Sequence, residues 1–121
     1  MNHDPSSGET LSLNQALARF ADQRGWQIFH TPKNLAMALS VEVAEIVEIF
    51  QWTENAESHA IAPDKRQALK EEIGDVMIYL TMLASRFDID PEQAAWEKME
   101  HNAKKYPASQ VYGKSLKYNE Y

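Results

Sequence analysis

Asn34-Leu35-Ala36-Met37-Ala38-Leu39-Ser40-Val41-Glu42-Val43-Ala44-Glu45-Ile46-Val47-Glu48-Ile49-Phe50-Gln51-Trp52, residues 34–52, holds neither Gly nor Pro and reads as one helix. Leu35, Ala38, Leu39, Ile46, Ile49 and Phe50 recur at 3.6-residue spacing and form its apolar stripe. Position 42 should continue that stripe, yet it holds Glu42. Glu45 follows, about 60° round the helix and about 4.5 Å along it. An apolar seam interrupted by a carboxylate needs a partner able to satisfy the charge.

Working outward, residues 63–87 predict a second long helix, with Pro63 in its first turn. Leu69, Ile73, Val76, Leu80 and Leu83 form its stripe, Glu72 lies within or beside it, and Asp75 follows three residues later. The polar residues 53–62 join the two helices. Long helices joined by a short connection pack antiparallel, with their mid-points facing one another. Glu42, Glu45, Glu72 and Asp75 are therefore expected to converge.

One ionised carboxylate buried unpaired costs several kcal/mol, and four together repel. With no Cys and no His pair nearby, such a cluster suits a hard divalent cation, Mg²⁺, with Mn²⁺ as the alternative. Ordinary surface pairs at i, i+3 would explain a single E-x-x-E. They do not explain a second pair on the facing helix, with one acid of each pair in an apolar stripe. Glu48 sits on the Glu45 side as a candidate accessory ligand, whereas Glu71 reads as solvated. Bound Mg²⁺ keeps positions for water and phosphate oxygens, which points to phosphate chemistry.

The flanks complete an all-α, four-helix bundle-like protomer. Ser12, with Gln15 in the capping-box position, opens a helix through about Arg24 that presents Leu13, Leu17 and Phe20, and Gly25 stops it. Trp26 to Lys33 is an aromatic-rich connection, after which Asn34 is the expected cap of the next helix. Asp90 and Pro91 open a fourth helix, which ends near Tyr106 because Pro107 follows. Residues 1–10 read as a flexible leader, 11–107 as a single helical catalytic domain and 108–121 as a tail.

Composition agrees with this. Ala, Glu and Leu outnumber Val, Ile and Thr by 36 to 16, which favours helix over sheet. Absent cysteine excludes disulfides, a thiol nucleophile and a thiolate zinc site, and it fits a cytoplasmic protein. No apolar run reaches the ~18–20 residues of a membrane span, and the first residues lack the pattern of a secretory leader. A net charge of −6 argues against binding nucleic acid. Residues 34–75 alone carry −6, while 98–121 carry +3. There Lys98, Asn102 and Lys105 share one face of the fourth helix and Tyr106 follows, a set suited to phosphate oxygens or to a solvated surface. Trp26 and Trp52 bracket the second helix, with faces able to stack on a base or to pack in a core or subunit interface. His30 is placed either to bond a ligand or to cap the next segment.

These residues resemble the MazG-like all-α nucleoside triphosphate pyrophosphohydrolases, above all the dCTP pyrophosphatase branch. The resemblance rests on Trp26-x-x-Phe29-His30-x-Pro32-Lys33-Asn34-Leu35, Glu42-x-x-Glu45, Phe50-Gln51-Trp52 and Glu72-x-x-Asp75-Val76-x-Ile78-Tyr79-Leu80. It continues through Lys98-Met99-x-x-Asn102-x-x-Lys105-Tyr106-Pro107 and into Lys117-Tyr118. It implies that Glu42, Glu45, Glu72 and Asp75 are Mg²⁺ ligands and that Lys98, Asn102 and Tyr106 contact phosphate or sugar, with Tyr79 on the same site. Trp26 and Trp52 would enclose the base. It further implies a homo-oligomer, a dimer or tetramer, with sites shared between chains.

The expected reaction is Mg²⁺-dependent hydrolysis of a (deoxy)nucleoside triphosphate, dCTP or a modified dCTP, to the monophosphate and pyrophosphate, in nucleotide pool cleansing. Leu17 marks a departure, because some dCTP-preferring relatives carry a His there. The rival expectation is a non-catalytic helical oligomerisation module that binds nucleotide without cleaving it.

Overall fold

A computed structural model describes residues 2–4, 9–53 and 61–115. The leader expected over 1–10, the polar connection over 53–62 and the tail over 108–121 fall partly outside these residues. The described chain is all-α apart from a two-stranded ribbon, β1 (Asn2–Asp4) and β2 (Glu9–Leu11), paired antiparallel with Asn2 opposite Leu11. Sequence reading expected no strand there. The helices are α1 (Leu13–Gln23), α2 (Pro32–Phe50), α3 (Pro63–Ser85), α4 (Pro91–Lys105) and the short α5 (Ala108–Val111), with a 3₁₀ turn at Gln27–Phe29.

Each boundary has a local cause. Ser12 Oγ accepts from Gln15 N–H and Gln15 Oε1 accepts from Ser12 N–H, both at 3.1 Å, so the expected capping box opens α1. Gly25 follows the Arg24 C-cap at φ +62°, a backbone region that favours glycine. Thr31, not Asn34, caps α2. Its Oγ1 accepts from Asn34 N–H at 3.2 Å. Pro32 forces Thr31 into an extended conformation and itself starts the helix, so the cap lies three residues earlier than expected. Asp90 Oδ1 accepts from the N–H groups of Glu92 and Gln93 and opens α4 ahead of Pro91, as expected.

The chain divides into two units, Met1–Asp88 and Ile89–Tyr121. In the first, α2 and α3 pack along their length and α1 packs on α3. The end of α2 (Ile49) and the start of α3 (Lys65, Ala68) line one cavity, so the two long helices run antiparallel. The face of α3 differs from the expected stripe. Leu69, Glu72, Val76, Tyr79 and Leu83 are half-buried, whereas Ile73 and Leu80 of that stripe are exposed. The register of Glu72, one residue before Ile73, turns the helix so that the acid faces inward. Phe20 of the α1 stripe is likewise exposed, and Ala21 is buried in its place.

The second unit contains α4 and α5. Asn102 O accepts from Tyr106 N–H at 2.8 Å, which closes α4 where expected. Among the described residues no helix is long and apolar enough to cross a membrane.

Candidate metal and nucleotide site

Leu35, only 1% exposed, anchors α2 against its neighbours. Two turns further on, the same inward face delivers Glu42 and Glu45, half-buried, opposite Glu72 of α3. One carboxylate oxygen from each of the three lies within 4.8 Å of the others. Oε2 of Glu42 and Oε2 of Glu72 are buried and have no hydrogen-bond partner. Acceptors removed from water without a donor are costly, and a divalent cation is the partner their chemistry fits. The protonation of the cluster reports the same crowding. The Glu42 carboxyl beside it, then that of Glu45, favours a shared proton on Glu72; burial and the two negative charges add to this, and Glu72 is pushed up to about 8.

The fourth expected ligand, Asp75, is one helical turn beyond Glu72 but is not among the three gathered acids. It lines a cavity of about 360 Å³ with Leu17, Trp26, His30, Tyr79 and Met82. This cavity brings together four of the residues singled out in the sequence: Trp26, His30, Asp75 and Tyr79. Its walls are mostly apolar, and Trp26 sets its ring edge-on to Phe20 at 5.8 Å and to His30 at 6.4 Å. A second cavity, of about 500 Å³, lies on the other side of the acids along α3. Glu45, Glu48, Trp52, Lys65 and Glu72 line it. Among the described residues, Trp26 and Trp52 thus line different cavities. Glu48 shares the Trp52 cavity, consistent with its expected place beside Glu45, and Glu71 is exposed. Lys98, Asn102 and Lys105 lie on α4 and Tyr106 at its C-cap, in the second unit.

Lys65 and Met82 were missed in the sequence. Lys65 is one of three closely spaced bases, Lys65, Arg66 and Lys70, with nothing in the pattern to distinguish it. Met82 follows Asp75 by seven residues, two helical turns, and that spacing was the available signal.

A sequence profile of the MazG-like family matches residues 37–121, most of the chain, including all three gathered acids. The chain belongs to the MazG-like family. It is 44% identical to dCTP pyrophosphatase 1 of Rattus norvegicus over 105 residues, which are 85% of this chain and 62% of that protein. It is 42% identical to the Bos taurus protein of the same name over 118 residues, 95% of this chain and 70% of that one. The chain therefore spans less than two thirds of the rat relative's length. A crystal structure of a pyrophosphatase from Archaeoglobus fulgidus superposes with a TM-score of 0.73 at 47% identity, covering 78% of this chain and 89% of that one. This MazG-like chain thus has the all-α fold expected of it.

Proposed function

We propose that this MazG-like protein hydrolyses a nucleoside triphosphate, dCTP or a modified dCTP, to the monophosphate and pyrophosphate, acting in the cytoplasm to cleanse the nucleotide pool. One observation carries the reading. Three glutamates converge with two buried, partnerless oxygens, one helical turn from an apolar cavity that holds Trp26, His30 and Tyr79. The names of the rat, bovine and archaeal relatives support it.

Glu42, Glu45 and Glu72 are the proposed Mg²⁺ ligands, and Asp75 completes the set from the next turn of α3. When bound, the cation supplies Lewis-acid polarisation of the α-phosphate and a water of lowered pKa. The chain's own residues do the rest. Trp26, His30 and Tyr79 seat the nucleoside and exclude water from one side of it. A glutamate of the cluster orients the water for attack on the α-phosphorus, and the bond to the bridging oxygen breaks as pyrophosphate leaves. Lys98, Asn102, Lys105 and Tyr106 are proposed as donors to phosphate oxygens, on the strength of their residue types and their spacing along α4.

We also propose a homo-oligomer, dimer or tetramer, with shared sites. Met37, Val41, Val43 and Val47 leave α2 apolar on its outer face as well as its inner one. Apolar side chains left exposed together in this way suit a face that another chain covers. Trp52, 89% exposed, is the residue that a neighbouring chain's site would receive.

The test is incubation of pure protein with each NTP and dNTP, with Mg²⁺ or with EDTA, and identification of the phosphate released. Pyrophosphate formed only with the metal, and reduced at least about 100-fold in Glu42→Ala and Asp75→Ala, is the expected result. Orthophosphate as the only product, or full activity without those acids, refutes the reading. Binding without turnover would establish the non-catalytic module.

A further inference from the structure

Trp26 and His30 reach the 360 Å³ cavity from a segment that has no core of its own, the single 3₁₀ turn between α1 and α2. Side-chain hydrogen bonds fasten this turn to three different helices. Gln27 Nε2 donates to Asp22 Oδ1 on α1 at 2.8 Å. Asn34 Nδ2 on α2 donates to Phe29 O at 3.0 Å. Arg86 Nη2, at the C-cap of α3, donates to Gln27 O at 3.3 Å. The same carbonyl accepts from His30 N–H at 3.1 Å, so the guanidinium binds the oxygen that closes the turn onto His30.

A further cavity of about 250 Å³ lies behind His30. Gln27, Ser85 and Arg86 are among its lining residues, and it shares Leu17, Ala21, His30 and Met82 with the first cavity. A side chain with open space on both sides lacks the close packing that fixes most interior groups, so its backbone must place it. α3 is also the helix that bears Glu72, Asp75 and Tyr79. A bond from its end to the turn sets the aromatic wall relative to the acids.

We propose that Arg86 is a positioning residue for nucleotide binding: by holding Gln27 O from the end of α3, it keeps Trp26 and His30 in register with the acidic helix. This rests on the nucleotide reading above. Removing the guanidinium frees the wall that meets the nucleoside and leaves the acids untouched. A lysine at this position keeps one charged donor but not the planar fork, so it restores part of the effect.

Steady-state kinetics of the full chain, Arg86→Ala and Arg86→Lys with dCTP and Mg²⁺ test the assignment, with pyrophosphate as a product inhibitor that lacks the nucleoside. In Arg86→Ala the KM for dCTP rises about tenfold, kcat stays within about twofold, and inhibition by pyrophosphate is unchanged. Arg86→Lys falls between the two. An unaltered KM overturns the proposal, and so does a parallel weakening of dCTP and pyrophosphate, which marks general loosening of the site. Should Arg86→Ala fail to fold, Arg86→Lys decides by the same two readings, with a rise in KM of about threefold expected. If the unmodified chain releases no pyrophosphate from any triphosphate, the nucleotide reading falls and this one with it, before any variant is compared.

Discussion

Glu72 shows how three crowded carboxyls tie the proposed metal binding to protonation. Its carboxyl lies among those of Glu42 and Glu45, whose hydrogen bonding and charge raise it from an ordinary 4.5 to about 8. Without a cation the folded chain therefore holds a proton on this cluster that the unfolded chain has released above about pH 4.5. The folded state binds more protons across that interval, so stability must fall as pH rises from about 5 to about 8. Thermal unfolding in EDTA across this range is expected to show Tm declining with pH, and a flat profile would contradict the crowding of the three acids. A cation needs the ionised carboxylates, so its binding near pH 7 must expel about one proton. Titration calorimetry with Mg²⁺ in two buffers of different ionisation enthalpy reads that number directly. Glu72→Gln is expected to lose both the pH slope and the proton release, because the amide cannot titrate.

The elements of this chain were legible wherever a local rule acts alone. Ser12 with Gln15, Gly25 after Arg24, and Asp90 with Pro91 mark ends of α1 and α4 that stand as the sequence predicts. Gly25 can be tested at this scale. A Cβ there meets nothing within 4 Å, so the cost of Gly25→Ala comes from φ +62° alone and should be about 1 kcal/mol. Denaturant unfolding measures it, and Gly25→Asn should lose less, since Asn tolerates that conformation. The start of α2 was misplaced because Asn34 and Thr31 are both capable caps, and only the restriction that Pro32 imposes on its predecessor separates them. On α3 the expected stripe included Ile73 and Leu80 because periodicity counts apolar residues, whichever neighbour they face. Glu72 and Tyr79, which face inward, interrupt that count. Glu42 and Glu45 were legible because they break or flank an apolar pattern. Asp75 was expected to converge with Glu42, Glu45 and Glu72, whereas it lines the next cavity. Which way it turns depends on the packing of α1, which no spacing on α3 encodes. Arg86 was invisible for a related reason: its partner is a backbone carbonyl 59 residues away.

At the scale of the molecule, the chain buries little on its own. Among the described residues only Ala21, Leu35 and Ala84 are buried apolar side chains, with Thr81 beside them. Met37, Val41, Val43 and Val47 on α2 and Ile73 and Met77 on α3 are each half or nearly half exposed. Fully burying one Val, Ile or Met contributes about 1.5–3 kcal/mol, so six such residues left exposed are a large driving force for association. A second chain is the simplest partner, because a two-fold contact lets each patch cover its own copy. Charge placed at Val43 and Val47 must oppose association without touching the acids, since these two exposed residues are one helical turn apart and lie about 100° or more round the helix from Glu42 and Glu45. Analytical ultracentrifugation of the unmodified chain should give a small multiple of 13.8 kDa, and Val43→Glu with Val47→Glu should shift it toward that single mass. On the proposed shared site, pyrophosphate release should fall in the same variant, because Trp52 would no longer reach a neighbouring chain. A double variant that dissociates yet keeps full activity would show each chain to be complete alone. An unmodified chain that sediments as a monomer would mean that α2 is covered by something other than its own copy.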